Sequence, residues 1–538
     1  VTPRRRRWLI GAAIAILLVA IAINAAARIP FSSEALRTRV VETLADRLDA
    51  EVELATLTLS VLPTVHAEGT GLVIRHHGRT DVPPLITAAS FVVNTSLMDL
   101  WRRRVGHVKL DGLEIQIPPD DDPDHANSPE GEGRTVGITG EHYAQGRQVV
   151  VEEVVADAAT LVIIPRNREK QHRTWVMHKL RVRNVSVNTK MPFETTLTNA
   201  VPPGEIVTDG SFGPWHRDDP GHTPIDGRFT FARADLSVFK GIKGTLSSTG
   251  TYEGRLETIT ARGEADVPDF TVEIGGHPVP LHTTYHAIID GTNGDTRLER
   301  VDATFLDTSI TASGGVYDVK RAGTGAPGAD VPPTGREVTL AVVMEKGRLE
   351  DVMRLAVSAD TPPMTGALTL QTTFIIPPGD VDIVDKLRLE GRFSIEGGRF
   401  TDAGVQTKIN DMSRRASGDL AESKTQPAAP RVASDFEGRF ALRDAVLRLP
   451  SLVFDIPGAA VKLNGQYALR PETIAFSGNL YMDAKVSQMV TGWKSMLLKV
   501  ADPLFRRDGQ TVVPIKISGT RKAPAFGMDV RRVFRRGD

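Results

Sequence analysis

Apolar and polar residues alternate one by one in short segments along most of the chain, and this restricts the fold more than any other feature. Leu57, Leu59 and Val61 alternate with Thr58 and Ser60, and Leu113, Ile115 and Ile117 with Glu114 and Gln116. Phe229 and Phe231 alternate with Arg228 and Thr230, and Phe270, Val272 and Ile274 with Thr271 and Glu273. The pairs Phe393/Ile395, Phe440/Leu442, Val461/Leu463 and Ile515/Ile517 continue the series. A period of two sends successive side chains to opposite faces of a strand, so each segment reads as a strand with one apolar and one polar face. Few helical stretches lie between these strands, which favours antiparallel hairpins over βαβ units.

A short unit recurs within the strands: glycine, a polar residue, then an aromatic residue or leucine. It appears as Gly227-Arg228-Phe229, Gly250-Thr251-Tyr252, Gly391-Arg392-Phe393, Gly438-Arg439-Phe440, Gly465-Gln466-Tyr467 and Gly478-Asn479-Leu480. Glycine inside a strand lets a neighbouring ring or backbone approach closely. The copies are irregularly spaced, so they read as successive strands of one sheet and not as a solenoid repeat. Leu180 and Val182 lie on one parity and Val185 and Val187 on the other, with Asn184 between, which predicts a bulge.

Helices are expected at three places. Ser32 or Ser33 can cap one that carries Leu36, Val40, Val41, Leu44 and Leu48 and ends near Asp49. The others cover 349–357, with Leu349, Val352, Met353 and Leu355, and 486–504, apolar at Val486, Met489, Val490, Trp493, Met496, Leu497 and Val500. Loops are expected at 120–134, 321–335 and 413–430, where Gly, Pro and polar residues collect. The chain therefore divides into an anchor (1–28), a helix with strands (29–119), a middle β segment (120–340) and a C-terminal β segment (341–538).

At the N-terminus, Arg4, Arg5, Arg6 and Arg7 precede an apolar run of twenty positions, Trp8 to Ala27, which includes Leu17, Leu18 and Ile23. A helix of that length covers about 30 Å, the thickness of a hydrocarbon core. The arginines place this end in the cytoplasm and the body beyond the membrane, in the periplasm of a two-membrane cell. A cleaved signal peptide is the competing reading, with Ala25-Ala26-Ala27 as its cleavage site. The anchor is favoured because Trp8 to Ile23 is longer than the usual 7–15-residue signal core, here sixteen positions.

Composition narrows the function classes. The 538 residues include no cysteine, so disulfides, thiol chemistry and Cys-based zinc sites are excluded. Lys and Arg (65) balance Asp and Glu (66), which gives no global footprint for nucleic-acid binding. No Walker A loop, HExxH or GxSxG is present. Gly323 to Gly328 matches a dinucleotide fingerprint only in letters, because Pro327 and Pro332-Pro333 deny it a following helix. His282 and His286 in a strand lie ~13 Å apart, too far for one metal. His76-His77 sits in a turn beside Gly78, and Ser237 with Lys240 is an isolated SxxK. Asp120-Asp121-Asp122 with Asp124 lacks the spacing of a calcium loop. Arg102-Arg103-Arg104 beside Trp101 is a basic cluster that suits either a solvated face or anionic lipid headgroups. No cofactor, no metal and no catalytic residue is expected.

Two stretches resemble the AsmA-like family of inner-membrane-anchored periplasmic proteins, relatives of bridge-like lipid-transfer proteins. The first comprises the anchor, Phe31-Ser-Ser-Glu-Ala-Leu-Arg37, Ala50-Glu-Val-Glu-Leu54, Thr56-Leu-Thr-Leu-Ser-Val-Leu-Pro63, Asp81-Val-Pro-Pro-Leu85 and Val105-Gly-His-Val-Lys-Leu-Asp-Gly-Leu113. The second comprises Asp502-Pro-Leu-Phe505 and Val513-Pro-Ile-Lys-Ile-Ser-Gly-Thr520, followed by Pro524 and Phe526. Together they cover about a third of the chain.

The resemblance implies a mainly β fold: an elongated, twisted antiparallel sheet curled into an apolar groove, with one N-terminal transmembrane helix and a few short amphipathic helices. It implies a single-pass inner-membrane protein that handles phospholipid acyl chains for outer-membrane homeostasis. The expected groove positions are Leu57, Leu59, Val61, Phe229, Phe231, Phe393, Ile395, Phe440, Leu442, Val461, Leu463, Ile515 and Ile517. Expected partners are the inner membrane, phospholipids and outer-membrane or envelope proteins, with no nucleic acid. The alternative is a structural or assembly factor for outer-membrane proteins or the envelope, without lipid transfer. A membrane-tethered enzyme is the third and weakest reading.

Overall fold

The computed structural model describes residues 31–32, 34–48, 50–61, 64–76, 83–117, 150–163, 173–186, 188–200, 202–216, 220–291, 293–319, 335–416, 432–482, 506–507, 510–521 and 523–528. The chain forms two units: Val1–Ala232 with Thr249–Thr260 and Asp290–Gly294, and Arg233–Ser248 with Ala261–Ile289 and Asp295–Asp538. Strands dominate both, as the alternation predicts.

In the first unit α1 (Glu34–Leu48) follows β1 (Phe31–Ser32). Next come β2 (Ala50–Glu53), β3 (Thr56–Ser60), β4 (Val65–His76) and β5 (Ile86–Thr95). The short α2 (Leu97–Trp101) joins β5 to β6 (Arg104–Asp111), after which come β7 (Glu114–Ile117), β8 (Val150–Ile163) and β9 (Arg173–Val185). The series ends with β10 (Met191–Ala200), β11 (Pro203–Phe212) and β12 (Pro224–Asp235). Val41 and Leu44, two positions of the expected apolar stripe, pack with Ala45 on Ala50, Val52 and Ile74.

The expectation of a purely antiparallel sheet needs correction, because the sheet is mixed. β6 and β7 both run parallel to β8 (Leu110↔Ala156, Ile115↔Leu161), with Gly112 at φ 62° at the break between them. A two-residue hairpin forces an antiparallel return, whereas a connection longer than a dozen residues can bring the chain back in the same direction. Residues 118–149 supply that length. The bulge expected at Asn184 is also corrected. Asn184 takes φ 52°, but the register with β8 is the same on both sides of it (Glu153↔Arg183, Val151↔Val185). The slip lies against β10, between Thr196 and Leu197.

The second unit holds β13 (Ile242–Lys243) and the part of β14 (Thr245–Arg255) and β15 (Thr258–Val272) that belongs to it. An antiparallel meander follows: β16 (Val279–Ile289), β17 (Thr296–Phe305), β18 (Thr308–Val319), β19 (Gly335–Arg348) and β20 (Met364–Ile376). It continues through β21 (Arg388–Phe400), β22 (Ser434–Arg443), β23 (Val446–Ile456), β24 (Ala459–Ala468) and β25 (Thr473–Met482). It closes with β26 (Arg506–Arg507), β27 (Gln510–Thr520) and β28 (Ala523–Met528). Three helices interrupt it: α3 (Leu349–Ala356), α4 (Ile383–Lys386) and α5 (Ala403–Ala416).

α3 fits the expected 349–357 helix. Its carboxylate Asp351, although buried, accepts from Thr308 Oγ1 (2.8 Å) and from the Asp307 N–H (3.1 Å), which pins the helix to the β17–β18 turn. α5 is unexpected, and its last residues 413–416 occupy the start of the loop expected at 413–430. It is fastened by Gln406, whose buried amide accepts from the Phe400 N–H (2.9 Å) and donates to the Val432 carbonyl (3.0 Å). Among the described residues no helix is long and apolar enough to cross a membrane. The anchor residues Arg4 to Arg7, Trp8, Leu17, Leu18 and Ile23, the 486–504 helix and the 120–134 loop lie outside the described residues, as does the 321–335 loop apart from Gly335.

Candidate functional site

Cross-strand register decides which side chains share a face. In the second unit, Leu368, Ile395, Phe436, Phe454, Val461, Leu480 and Val513 lie opposite one another in turn from β20 to β27. Beside this row runs Leu370, Phe393, Gly438, Leu452, Leu463, Gly478 and Ile515. Further along the same face Gly391 meets Phe440, Gly465 meets Phe476 and Phe476 meets Ile517, while Leu389 meets Leu442 and Leu442 meets Leu447. The sequence-predicted positions Phe393, Ile395, Phe440, Leu442, Val461, Leu463, Ile515 and Ile517 therefore all share one face. At about 4.8 Å per strand step, the rows extend for about 30 Å across the sheet.

The recurring glycines now have a physical reason. Phe393 lies opposite Gly438 and Phe440 opposite Gly391, with the ring centroids 6.2 Å apart. A Cβ on Gly438 would come within 2.8 Å of the Phe393 ring. The missing side chain makes room for the neighbouring ring, so rings and glycines interlock across strands. β23 slips register between Leu449 and Leu452, where Pro450 sits; a residue without an N–H is tolerated at such a bulge.

Cover on this face is unequal. Ile395 is 7% exposed and packs with Leu349, Met344 and Met364 under α3. Val461 is 6% exposed and packs with Phe454, Ala416 and Met482, with Ile409 and Met412 of α5 against them. Phe440, Phe476 and Ile517 are half-buried and belong to neither helix-packed cluster. The opposite face is polar: Gln371, Arg392, Arg439 and Ser451 form one row, and Asn464, Ser477 and Lys516 another.

The first unit repeats the arrangement. Leu57, Gly69, Phe91, Leu110, Ala156, Leu180, Thr195, Thr208 and Phe229 follow one another from β3 to β12. Leu59 and Phe231 lie on the same face, opposite Ala67 and Ile206 respectively. Val61 stands one residue beyond β3. The row becomes polar at Thr195 and Thr208, a change that the alternation alone does not announce. Thr208 Oγ1 pairs with the Tyr252 hydroxyl at 2.8 Å, and the Tyr252 ring lies 6.4 Å from Phe229. Burial pushes the Tyr252 hydroxyl pKa up, so it stays protonated and available to Thr208.

Charge collects on the other face. Lys109 pairs with Asp157 (3.3 Å), Arg181 with Glu153 (3.2 Å), Arg183 with Glu194 (2.8 Å) and Arg228 with Asp209 (2.8 Å). The Lys190 ammonium, 2.7 Å from Asp226, holds that carboxyl below the usual carboxylate range. The depressions in this region are lined by Arg181, Glu194, Asp209 and Arg228, so they belong to the solvated face.

Residues screened for chemistry fall into ordinary roles. His282 bonds Asp266 (2.7 Å), His286 faces Glu299 (3.4 Å) and Lys240 bonds Asp380 (2.9 Å). Among the described residues no His, Asp and Glu cluster could hold a metal ion.

His66 gives a pH prediction. Its ring bonds Asn94 Oδ1 (2.6 Å) and Glu68 Oε1 (2.7 Å), and the Asn94 bond followed by the Glu68 bond raises its pKa. A raised pKa means that the protonated ring is favoured in the folded state. The stabilisation is full below the ordinary imidazole value and is lost as pH rises through the raised one. An NMR titration is expected to place the His66 midpoint above that of an unstructured histidine, and Asn94→Ala to lower it. A midpoint at the ordinary value would contradict this.

No protein-family model, curated protein or solved structure matches the chain.

Proposed function

We propose that the protein is anchored in an inner membrane by Trp8–Ala27 and handles phospholipid on the periplasmic side, holding acyl chains against its apolar sheet faces for outer-membrane homeostasis. Lipid is held and passed on without chemical change. The reading rests on the resemblance to the AsmA-like family and on one observation above the rest. In the second unit, apolar residues share one face over about 30 Å, and Phe440, Phe476 and Ile517 lie outside the clusters packed by α3 and α5. That length is about twice the ~15 Å that one leaflet contributes to a ~30 Å hydrocarbon core. Each methylene transferred from water to such a face contributes about 0.8 kcal/mol, enough over one acyl chain to hold a lipid.

The competing reading is an envelope assembly factor whose apolar face is closed by packing. Burial of Ile395 and Val461 beneath α3 and α5 favours it locally. Photo-crosslinkers separate the two. A probe at Phe440 or Ile517 is expected to capture phospholipid in cells, and a probe at the sequence neighbours Arg439 or Lys516, on the other face, is not. Equal capture at all four positions, or none at Phe440 and Ile517, refutes the groove.

A further inference from the structure

The link between β5 and β6 is built unlike the rest of the first unit. Its helix α2 has no buried residue. Trp101 is 82% exposed and Met98 55%, and Leu97 and Leu100 are exposed as well. Four large apolar side chains on five residues stay exposed on a helix with no buried residue, and a cluster of this kind marks an interaction surface. Arg102, Arg103 and Arg104 follow directly, all exposed. Two carboxylates stand near them: Asp99, held by the Ser96 hydroxyl at 2.6 Å, and Glu152, paired with Arg104 at 3.0 Å. Three consecutive exposed arginines make the patch basic in composition.

The position of the patch in the sheet adds an independent argument. β1 pairs with β3 through Phe31↔Leu59 and Ser32↔Thr58. Leu59 meets Ala67, Ala67 meets Val93, and β5 ends two residues later at Thr95, next to α2. Read backwards from Ser32 to Phe31, the chain heads toward that same end of the sheet. Three strand steps, about 15 Å, separate Phe31 from β5. The apolar run Trp8–Ala27 ends four residues before Phe31, a reach of at most about 15 Å.

We infer that α2 with Arg102–Arg104 is a membrane-docking foot, which seats Trp101, Met98, Leu97 and Leu100 in the interfacial zone of the bilayer that holds the anchor, with the arginines on anionic headgroups. Tryptophan and arginine together suit that zone, where an amphipathic ring sits at headgroup level and basic side chains meet anionic headgroups. A protein partner suits it less, because five residues fall short of the ~800 Å² per partner of a stable protein interface. The foot holds the first unit at a fixed orientation to the membrane. The inference rests on the anchored reading above.

The absence of cysteine makes the test direct. The full chain carrying Met98→Cys, labelled with an environment-sensitive fluorophore, is reconstituted into phosphatidylcholine vesicles with and without 30% phosphatidylglycerol, doped with nitroxide-labelled lipid. The control label sits at Val381→Cys, an equally exposed apolar position (56%) in the second unit. Quenching at position 98 is expected to exceed that at 381 at least threefold, to grow with phosphatidylglycerol, and to fall severalfold when Arg102→Glu is added. Quenching no greater than at 381, or indifferent to phosphatidylglycerol, overturns the docking. So does a label response that depends on protein concentration without vesicles, which would mean self-association. A chain that fails to float with vesicles overturns both the docking and the anchored reading, whereas a floating chain with an unquenched label overturns the docking alone.

Discussion

Gly478→Val is expected to unfold or severely weaken the second unit, at a cost of about 3–5 kcal/mol, while Gly527→Ala stays within about 0.5 kcal/mol of the parent. Both glycines lie in strands of the same meander, and what separates them is what a Cβ would meet. Gly478 is buried between Leu463 and Ile515, and its Cβ would overlap the Lys462 carbonyl oxygen and lie 2.9 Å from Leu463 Cα. Both are backbone atoms, so no side-chain rotation relieves the clash and β24 and β25 must separate. At Gly527, in the last strand β28, nothing lies within 4 Å of such a Cβ. Denaturant unfolding followed by far-ultraviolet circular dichroism checks the pair. If Gly478→Val costs less than 1 kcal/mol, the close ladder described for β24 and β25 is wrong.

Ile517→Asp is expected to reduce co-purifying phospholipid at least tenfold and to leave the melting temperature of the second unit nearly unchanged. Ile517 lies opposite Phe476 on the apolar face, half-buried and outside the α5-packed cluster. A carboxylate there keeps access to water in the free protein, so folding loses little. An acyl chain laid on the same row would have to strip that water away, and an ionised group against hydrocarbon costs several kcal/mol. Val461→Asp is the contrast, because Val461 lies beneath α5 and its replacement buries a charge in the folded state itself. Quantitative lipid extraction together with calorimetry distinguishes the two. Unchanged lipid content in a folded Ile517→Asp protein would remove the main support for lipid on this face.

That Phe393, Ile395, Phe440, Leu442, Val461 and Leu463 share one face was legible from alternation, because a strand's side-chain period is fixed by backbone geometry. Any Phe-x-Ile segment in a sheet must place both residues on one side. Phe393 and Ile395, or Val461 and Leu463, needed no tertiary information for that. Whether such a residue is covered was not legible. Ile395 and Phe440 come from equivalent patterns, yet only Ile395 lies beneath a helix, because α3 is delivered there by the β19–β20 connection and held by Asp351. α5 escaped notice because its sequence, Ala403–Ala416, is mostly polar and small, and its place is set by Gln406 and Ser413 bonding distant carbonyls. The parallel β6–β8 joint escaped for a related reason: strand direction depends on the path of the connection and leaves no mark on the strands.

Sequence alone determined that the chain is a sheet protein with one-sided strands, that glycines recur beside aromatic residues, and that thiol chemistry is excluded. These follow from local stereochemistry and composition, which act residue by residue. Tertiary structure decided the rest: which rows align across strands, where helices cover them, that the first unit's row turns polar at Thr195 and Thr208, and that Trp101 stands exposed beside three arginines. Those outcomes depend on which distant segments meet, and register and packing fix that only once the whole chain has folded.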